Sequence, residues 1–287
     1  MFPVMLKEKF TIGVILFLLG GLLFSCNNMN DRKLNSEEFT ETSPYSPQIA
    51  KGFSISKKQD IRLLEIFNPW DTAFPAQKFY LVPEVGSDSL LSDGQAIKIP
   101  IKGMVCLSAS HLSFLDALGE IGKLTGVSSA DFVVSEEFQD LVKSGKIREI
   151  GIGDHFRLEE LINLSPDMVM VSPQKGQSFD PLVNAGLTVI PNGDYLEPHP
   201  LGRAEWIKLI GVLTGREQKA LEIFDSVSAA YDELKKLTAK IDKRPTVITG
   251  KQYGGFWNLA GGKSYVATFL HDAGADYLWA GDPGTGG

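Results

Sequence analysis

From residue 99 onward the chain alternates short apolar runs with amphipathic stretches. Apolar runs at 104–107, 124–127, 148–152, 168–171 and 187–190 read as strands. Between them, 112–118, 136–143, 158–164 and 179–185 have helical spacing, and Gly119, Gly145, Ser165-Pro166 and Gly186 stop them. Strand-helix alternation of this kind predicts a parallel sheet covered on both faces by helices.

The rhythm then breaks. Residues 201–213 and 216–241 are two long helical stretches with no strand between them; Leu221, Phe224, Val227, Tyr231, Leu234 and Leu237 recur at helical spacing in the second. After Pro245 the alternation resumes, with strands at 246–249, 255–259 and 277–279 and a helix at 265–273. The fold class expected is therefore α/β: two Rossmann-like lobes, parallel sheets flanked by helices, joined by a long helix. A second lobe so short of strands would leave a sheet edge and face uncovered. It is expected to be truncated at the C-terminus, with the intact protein continuing by several further βα units.

The amino-terminal part follows another pattern. Lys7 and Lys9 precede a charge-free apolar run at 10–24. That run is short of the roughly 20 residues a membrane-spanning helix needs and suits the core of a secretory signal. It ends in Leu23-Phe24-Ser25-Cys26, which resembles the lipobox of bacterial lipoproteins. The expectation is cleavage before Cys26 and a lipid on its thiol; the alternative is an uncleaved anchor with a chance cysteine. The domains expected are a signal and lipobox at 1–26, a polar tether at 27–53, a β-hairpin extension at 54–98, a first α/β lobe at 99–200, a helical hinge at 201–244 and an incomplete second lobe at 245–287.

Composition narrows the partners. A formal net charge of −7 argues against nucleic acid. With Cys26 assigned to the lipobox, only Cys106 remains, in an apolar strand, where a buried structural thiol is expected.

Several stretches together resemble the substrate-binding proteins of iron-siderophore, haem and cobalamin ABC importers. They are Met104-Val105-Cys106-Leu107-Ser108-Ala109-Ser110 with its following helix, Leu124-Thr125-Gly126-Val127-Ser128, the helix from Leu158 into Leu164-Ser165-Pro166-Asp167-Met168-Val169, and Ala185-Gly186-Leu187-Thr188-Val189. Residues 192–206 and the carboxyl-terminal DYLWAGDPGTGG resemble a lipoprotein branch of that family found in Bacteroidetes. The resemblance implies two lobes on a rigid helical hinge, a metal chelate held between them, no resident cofactor, and delivery to an ABC permease in the inner membrane. With the lipid anchor at Cys26, it places the protein in the cell envelope, facing the periplasm.

Open parallel sheets bind ligands beyond the carboxyl ends of their strands. The ligand-binding candidates are therefore Ser108, Ser110, His111, Asp154, His155, Gln174, Lys175, Asp194, Tyr195 and His199 from the first lobe, and Gln252, Tyr253, Trp257 and Trp279 from the second. The aromatic side chains offer flat apolar faces with a polar edge, and Lys175 a charge for an anionic group. In the family, a carboxylate on each lobe docks onto permease arginines. Glu159 matches the first position, where it would also serve as a first-turn glutamate complementing the helix dipole. Lys263 stands where the second acid is expected.

Two other functions compete. His111, His155 and His199 fall near strand ends and would suit a free zinc or manganese ion. An enzyme on an α/β scaffold is the alternative of another class, but no nucleophile elbow, H-E-x-x-H or phosphate-binding loop occurs. In Gly261-Gly262-Lys263-Ser264 the ending of a phosphate loop appears, yet Trp257 occupies the position of its first glycine.

Overall fold

A computed structural model describes residues 34–71, 73, 75–83, 93–131, 133, 135–151 and 156–286. The lipobox with Cys26, and the candidates Asp154 and His155, lie outside the described residues. The described residues from Asn35 onward belong to one compact unit.

The central sheet of this unit carries β6 (Met104–Cys106), β7 (Leu124–Val127), β8 (Arg148–Glu149), β9 (Met168–Val171) and β10 (Val189–Pro191), ordered β10-β9-β6-β7-β8. Every pairing is parallel. Residues on these strands alternate between two cores. Met104, Cys106, Met168, Met170 and Ile190 face one, and Val105, Val169, Val171 and Val189 the other. That double burial is why the strands read as continuous apolar runs. Helices α1 (Ala109–Leu118), α2 (Glu136–Lys143), α3 (Leu158–Leu164) and α4 (Asp180–Asn184) supply the connections. Cys106 is buried and free, and burial pushes its thiol far above the ordinary range.

The amino-terminal extension is larger than the hairpin expected. Strands β1 (Glu41–Thr42), β2 (Phe53–Lys58), β3 (Ile61–Ile66), β4 (Gln77–Pro83) and β5 (Gln95–Ile99) form a five-stranded sheet in sequence order, antiparallel except for β4 and β5. Phe53, Ile55, Leu64, Ile66, Phe79, Leu81, Ile97 and Ile99 share one core with α1 and the first face of the parallel sheet. A two-stranded hairpin is marginal alone; three further strands and this apolar face make it a wall of the lobe.

Part of the expected tether is likewise ordered. Glu205 accepts hydrogen bonds from the backbone N–H groups of Gln48, Ile49 and Ala50 at 2.9, 2.7 and 2.9 Å. Glu197 accepts from Lys51 and Gly52, both at 2.9 Å. A polar segment with few apolar residues is thus fixed by buried carboxylates.

The stretch expected as one helix over 201–213 is two, α5 (Pro200–Glu205) and α6 (Ile207–Thr214), meeting at the fully buried Trp206. The long helix α7 (Glu217–Thr238) follows and leads into the second lobe. There β11 (Thr246–Val247) pairs in parallel with β14 (Asp276–Tyr277), around helix α8 (Tyr265–Asp272). Between them β12 (Lys251–Tyr253) and β13 (Phe256–Asn258) form an antiparallel hairpin. Gly254 and Gly255 make its turn at φ of 59° and 84°, the left-handed pair that a two-residue hairpin turn requires.

Asp272 ties the second lobe to the long helix. Its carboxylate accepts from Tyr231 Oη at 2.8 Å and lies 2.9 Å from Lys235 Nζ. Arg203 of α5 stacks its guanidinium 3.6 Å from the centroid of the Tyr265 ring in α8. Side chains of α5, α7 and α8 therefore meet at the hinge. Among the described residues, no helix is long and apolar enough to cross a membrane.

Candidate functional site

The strand order places the reversal of winding between β6 and β9, where parallel sheets open a crevice at their carboxyl ends. Ser108 precedes α1, and Ser110 and His111 lie in its first turn. Asp194 begins a 3-10 turn just beyond β10. Ser108 Oγ and Ser110 Oγ are 3.1 Å apart, and Ser110 Oγ donates to Asp194 Oδ1 at 3.4 Å. His111 Nε2 sits 4.0 Å from Asp194 Oδ1 and 3.5 Å from Ser172 Oγ, reaching across the crevice to the residue after β9. Asp194 is oriented from below: its N–H donates to Asn192 Oδ1 at 3.0 Å, and its Oδ1 accepts from the Tyr195 N–H at 2.8 Å.

Electrostatically the cluster is nearly dry. Burial pulls the His111 imidazole down to about 4, offset only in part by the Asn192 backbone. His111 is therefore neutral at pH 7, and its Nδ1 has no hydrogen-bond partner among the described residues. Burial raises the Asp194 carboxyl above its ordinary value, against the lowering effect of Ser110 and the Tyr195 backbone. Such a constellation can orient hydrogen-bonding groups of a ligand at its polar edge. Among the described residues, no three His, Cys, Asp or Glu side chains gather as a metal site.

Other candidates are placed elsewhere. Tyr195 is exposed, and its hydroxyl donates to the Pro173 carbonyl at 2.5 Å, spanning the loops after β10 and β9. Gln174 and Lys175 stand exposed in the latter loop. His199 is drawn off to the hinge. Its Nδ1 accepts from the Leu201 N–H at 3.1 Å and caps α5, while Nε2 lies 3.9 Å from Asp272 and the ring 5.8 Å from that of Tyr231. With one ring nitrogen used in the cap, it does not join the Ser108–Asp194 cluster.

In the second lobe, Gln252 lies opposite Trp257, and Tyr253 opposite Phe256. Directly paired residues share a sheet face, so Tyr253 and Trp257 fall on opposite faces. The aromatic companion of Tyr253 is Phe256, 77% exposed, which the sequence reading passed over. Trp279 is half-buried, 6.0 Å from Tyr277 in the small core of α8. Glu159 is exposed in the first turn of α3, and Lys263 is exposed just before α8. Ser172 and Arg203 were also missed. Ser172 was findable as the residue following a buried strand. Nothing local marks Arg203, whose partner Tyr265 is remote in sequence.

A two-lobed α/β body with a polar cluster at its switch point is the architecture of a binding protein. The family described as "Periplasmic binding protein" matches residues 104–286, and the chain belongs to it. Two relatives are uncharacterized lipoproteins of Methanocaldococcus jannaschii. Each is 24% identical, over 98% and 83% of this chain and 75% and 63% of their own lengths. Among solved structures, the fold is similar to the periplasmic haem-binding protein HutB of Vibrio cholerae (TM-score 0.51, 22% identity, 64% of this chain and 67% of that one). It is also similar to the petrobactin-binding protein YclQ of Bacillus subtilis (TM-score 0.52, 17% identity, 75% and 66%). The substrate-binding protein of an ABC transporter from Listeria monocytogenes matches at a TM-score of 0.50 and 20% identity; this chain spans 64% of its length.

Proposed function

We propose that the protein is the substrate-binding component of an ABC importer, capturing a metal chelate between its lobes and presenting it to a permease. The carrying observation is the Ser108–Ser110–His111–Asp194 cluster at the switch point of a periplasmic-binding-protein fold. The exposed pair Tyr253 and Phe256, on one face of the second-lobe hairpin, supplies an apolar surface for a large planar or multi-ring chelate. Haem-binding and petrobactin-binding proteins share the fold. In this reading Tyr195 and Lys175 belong to the first-lobe wall and Glu159 meets the permease; Asp154 and His155, outside the described residues, are ligand candidates by sequence alone.

The test is an absorption titration of the full chain in detergent with haem, cyanocobalamin and a ferric catecholate. One of the three is expected to bind saturably with a shifted spectrum. If none binds, the chelate reading falls; if bare zinc binds tightly and is lost in a His111→Ala/His155→Ala variant, the ion carrier replaces it.

Anchoring through Cys26 is part of the same proposal. It is supported by the lipobox and by the relatives named as lipoproteins. A Cys26→Ser variant expressed in a bacterial host is expected to stay uncleaved and lose lipid labelling with radioactive palmitate. Undiminished labelling of the variant would refute it.

A further inference from the structure

We propose that a cavity outside the interlobe cleft is a second binding site, and that it takes a neutral sugar ring. The cavity, about 730 Å³, opens between the turn joining β3 to β4 and the loops after β9 and β10. That volume lies within the range of small-molecule sites, roughly 300–1,000 Å³. Among the described residues, its lining holds none from the second lobe.

Its walls are built in advance. The buried Glu197 carboxylate accepts from the Lys51 and Gly52 N–H groups and from Trp206 Nε1 at 3.2 Å, which locks the extension to the loop after β10. Gly52 is required there, because a Cβ would come within 2.5 Å of the Trp206 ring. On the opposite rim Phe67 and Trp70 remain 39% and 38% exposed. The turn presenting them is clamped: Asn68 Oδ1 accepts from the N–H groups of Trp70 and Asp71 at 3.0 and 3.2 Å. A large exposed aromatic residue on a fixed turn over a cavity is a ready platform for a flat ligand face.

The polar lining selects the ligand's charge and hydrogen bonding. Gln77 and Gln174 carry amides, which both donate and accept, as hydroxyl groups do. Among the described residues the one carboxylate of the lining is Glu197, whose Oε1 takes all three of those donors and so acts as a structural clamp. Among the described residues Lys51 is the one cation of the lining, too little for a phosphate or a multiply charged acid. An apolar aromatic platform with amide edges matches a neutral ring that has a C–H face and a rim of hydroxyls. The short turn Asp194–Leu196 separates this cavity from the cleft: Leu196 lines the cavity while Asp194 faces Ser110 and His111.

The proposal is tested with the full chain in detergent on an array of neutral mono- to tetrasaccharides, followed by calorimetry on those retained. Saturable binding of at least one neutral glycan is expected, weakened at least tenfold in Trp70→Ala and in Gln77→Leu. Gly193→Leu, which fills the cavity from a backbone with room for a Cβ, is expected to abolish it. The absorption titrations with haem, cyanocobalamin and ferric catecholate, run on Trp70→Ala, should match the wild type, so that failure of the sugar site is distinguishable from failure of the chelate site. The inference is overturned if no neutral glycan binds, if only charged glycans bind, or if binding is unchanged in both Trp70→Ala and Gln77→Leu.

Discussion

Replacing Glu205 by alanine is expected to cost roughly 3–5 kcal/mol of stability, the scale for removing one partner of a buried ion pair. Glu205 is fully buried and meets Lys208 Nζ at 2.6 Å, while Lys208 is itself only 5% exposed. Truncation would strand that ammonium, whose other close neighbour is the Phe224 ring, 4.4 Å from Nζ to centroid. It would also orphan the N–H groups of Gln48, Ile49 and Ala50. Burial alone would raise the Glu205 pKa. The bonds from Lys208 and the three N–H groups outweigh it and hold the carboxyl below its ordinary value. A depressed folded-state pKa means that this contribution is present above the unfolded pKa and is lost as pH falls through the folded one. Urea unfolding at pH 7 measures the effect. A loss under 1 kcal/mol would show that the segment does not depend on this residue. In a Glu205→Leu/Lys208→Met variant only the share due to the stranded ammonium should return, because the N–H groups of Gln48, Ile49 and Ala50 stay unpaired.

The same residue shows why part of the fold escaped the sequence. The parallel sheet was legible because β6, β9 and β10 are buried on both faces and the helices on one, patterns that lie within a few consecutive residues. Residues 35–52 were unreadable because their partners are far away. Glu205 and Glu197 reach back 145–157 positions to hold backbone N–H groups, and a backbone donor leaves no mark in a sequence. Likewise, the α5–α6 break at Trp206 carries no proline or glycine at the junction; the indole there is buried against Phe53 and Gly52 of the distant extension. At the site, Ser108, Ser110, His111 and Asp194 were legible as residues following strands, since topology alone brings them together. His199 also follows β10 but at the end of its loop, where it caps α5 and was captured by the hinge, because Asp272 lies some seventy residues onward and its proximity is a product of tertiary packing. The facing of the hairpin aromatics depended on register, and a one-residue change of register exchanges the two faces.

Between about pH 6.5 and 4, stability is expected to fall by about 3 kcal/mol on account of His111 alone, from its shift at roughly 1.4 kcal/mol per pH unit. The unfolded chain binds a proton on this histidine near its ordinary pKa of 6.5, whereas burial keeps the folded imidazole neutral down to about 4. The unfolded state is thus favoured progressively through that window, and the full contribution is present above it. Asp194 acts in the opposite sense. Its folded-state pKa is raised, so its share is greatest at low pH and is lost as pH rises through that value. Urea unfolding at pH 7, 5.5 and 4.5 should show a smaller drop for His111→Gln than for the wild type, and a His111→Gln/Asp194→Asn variant separates the two groups. Parallel pH profiles for wild type and His111→Gln would mean that the imidazole is open to solvent. The Ser108–Asp194 cluster would then hold a titrating cation rather than a neutral hydrogen-bonding group.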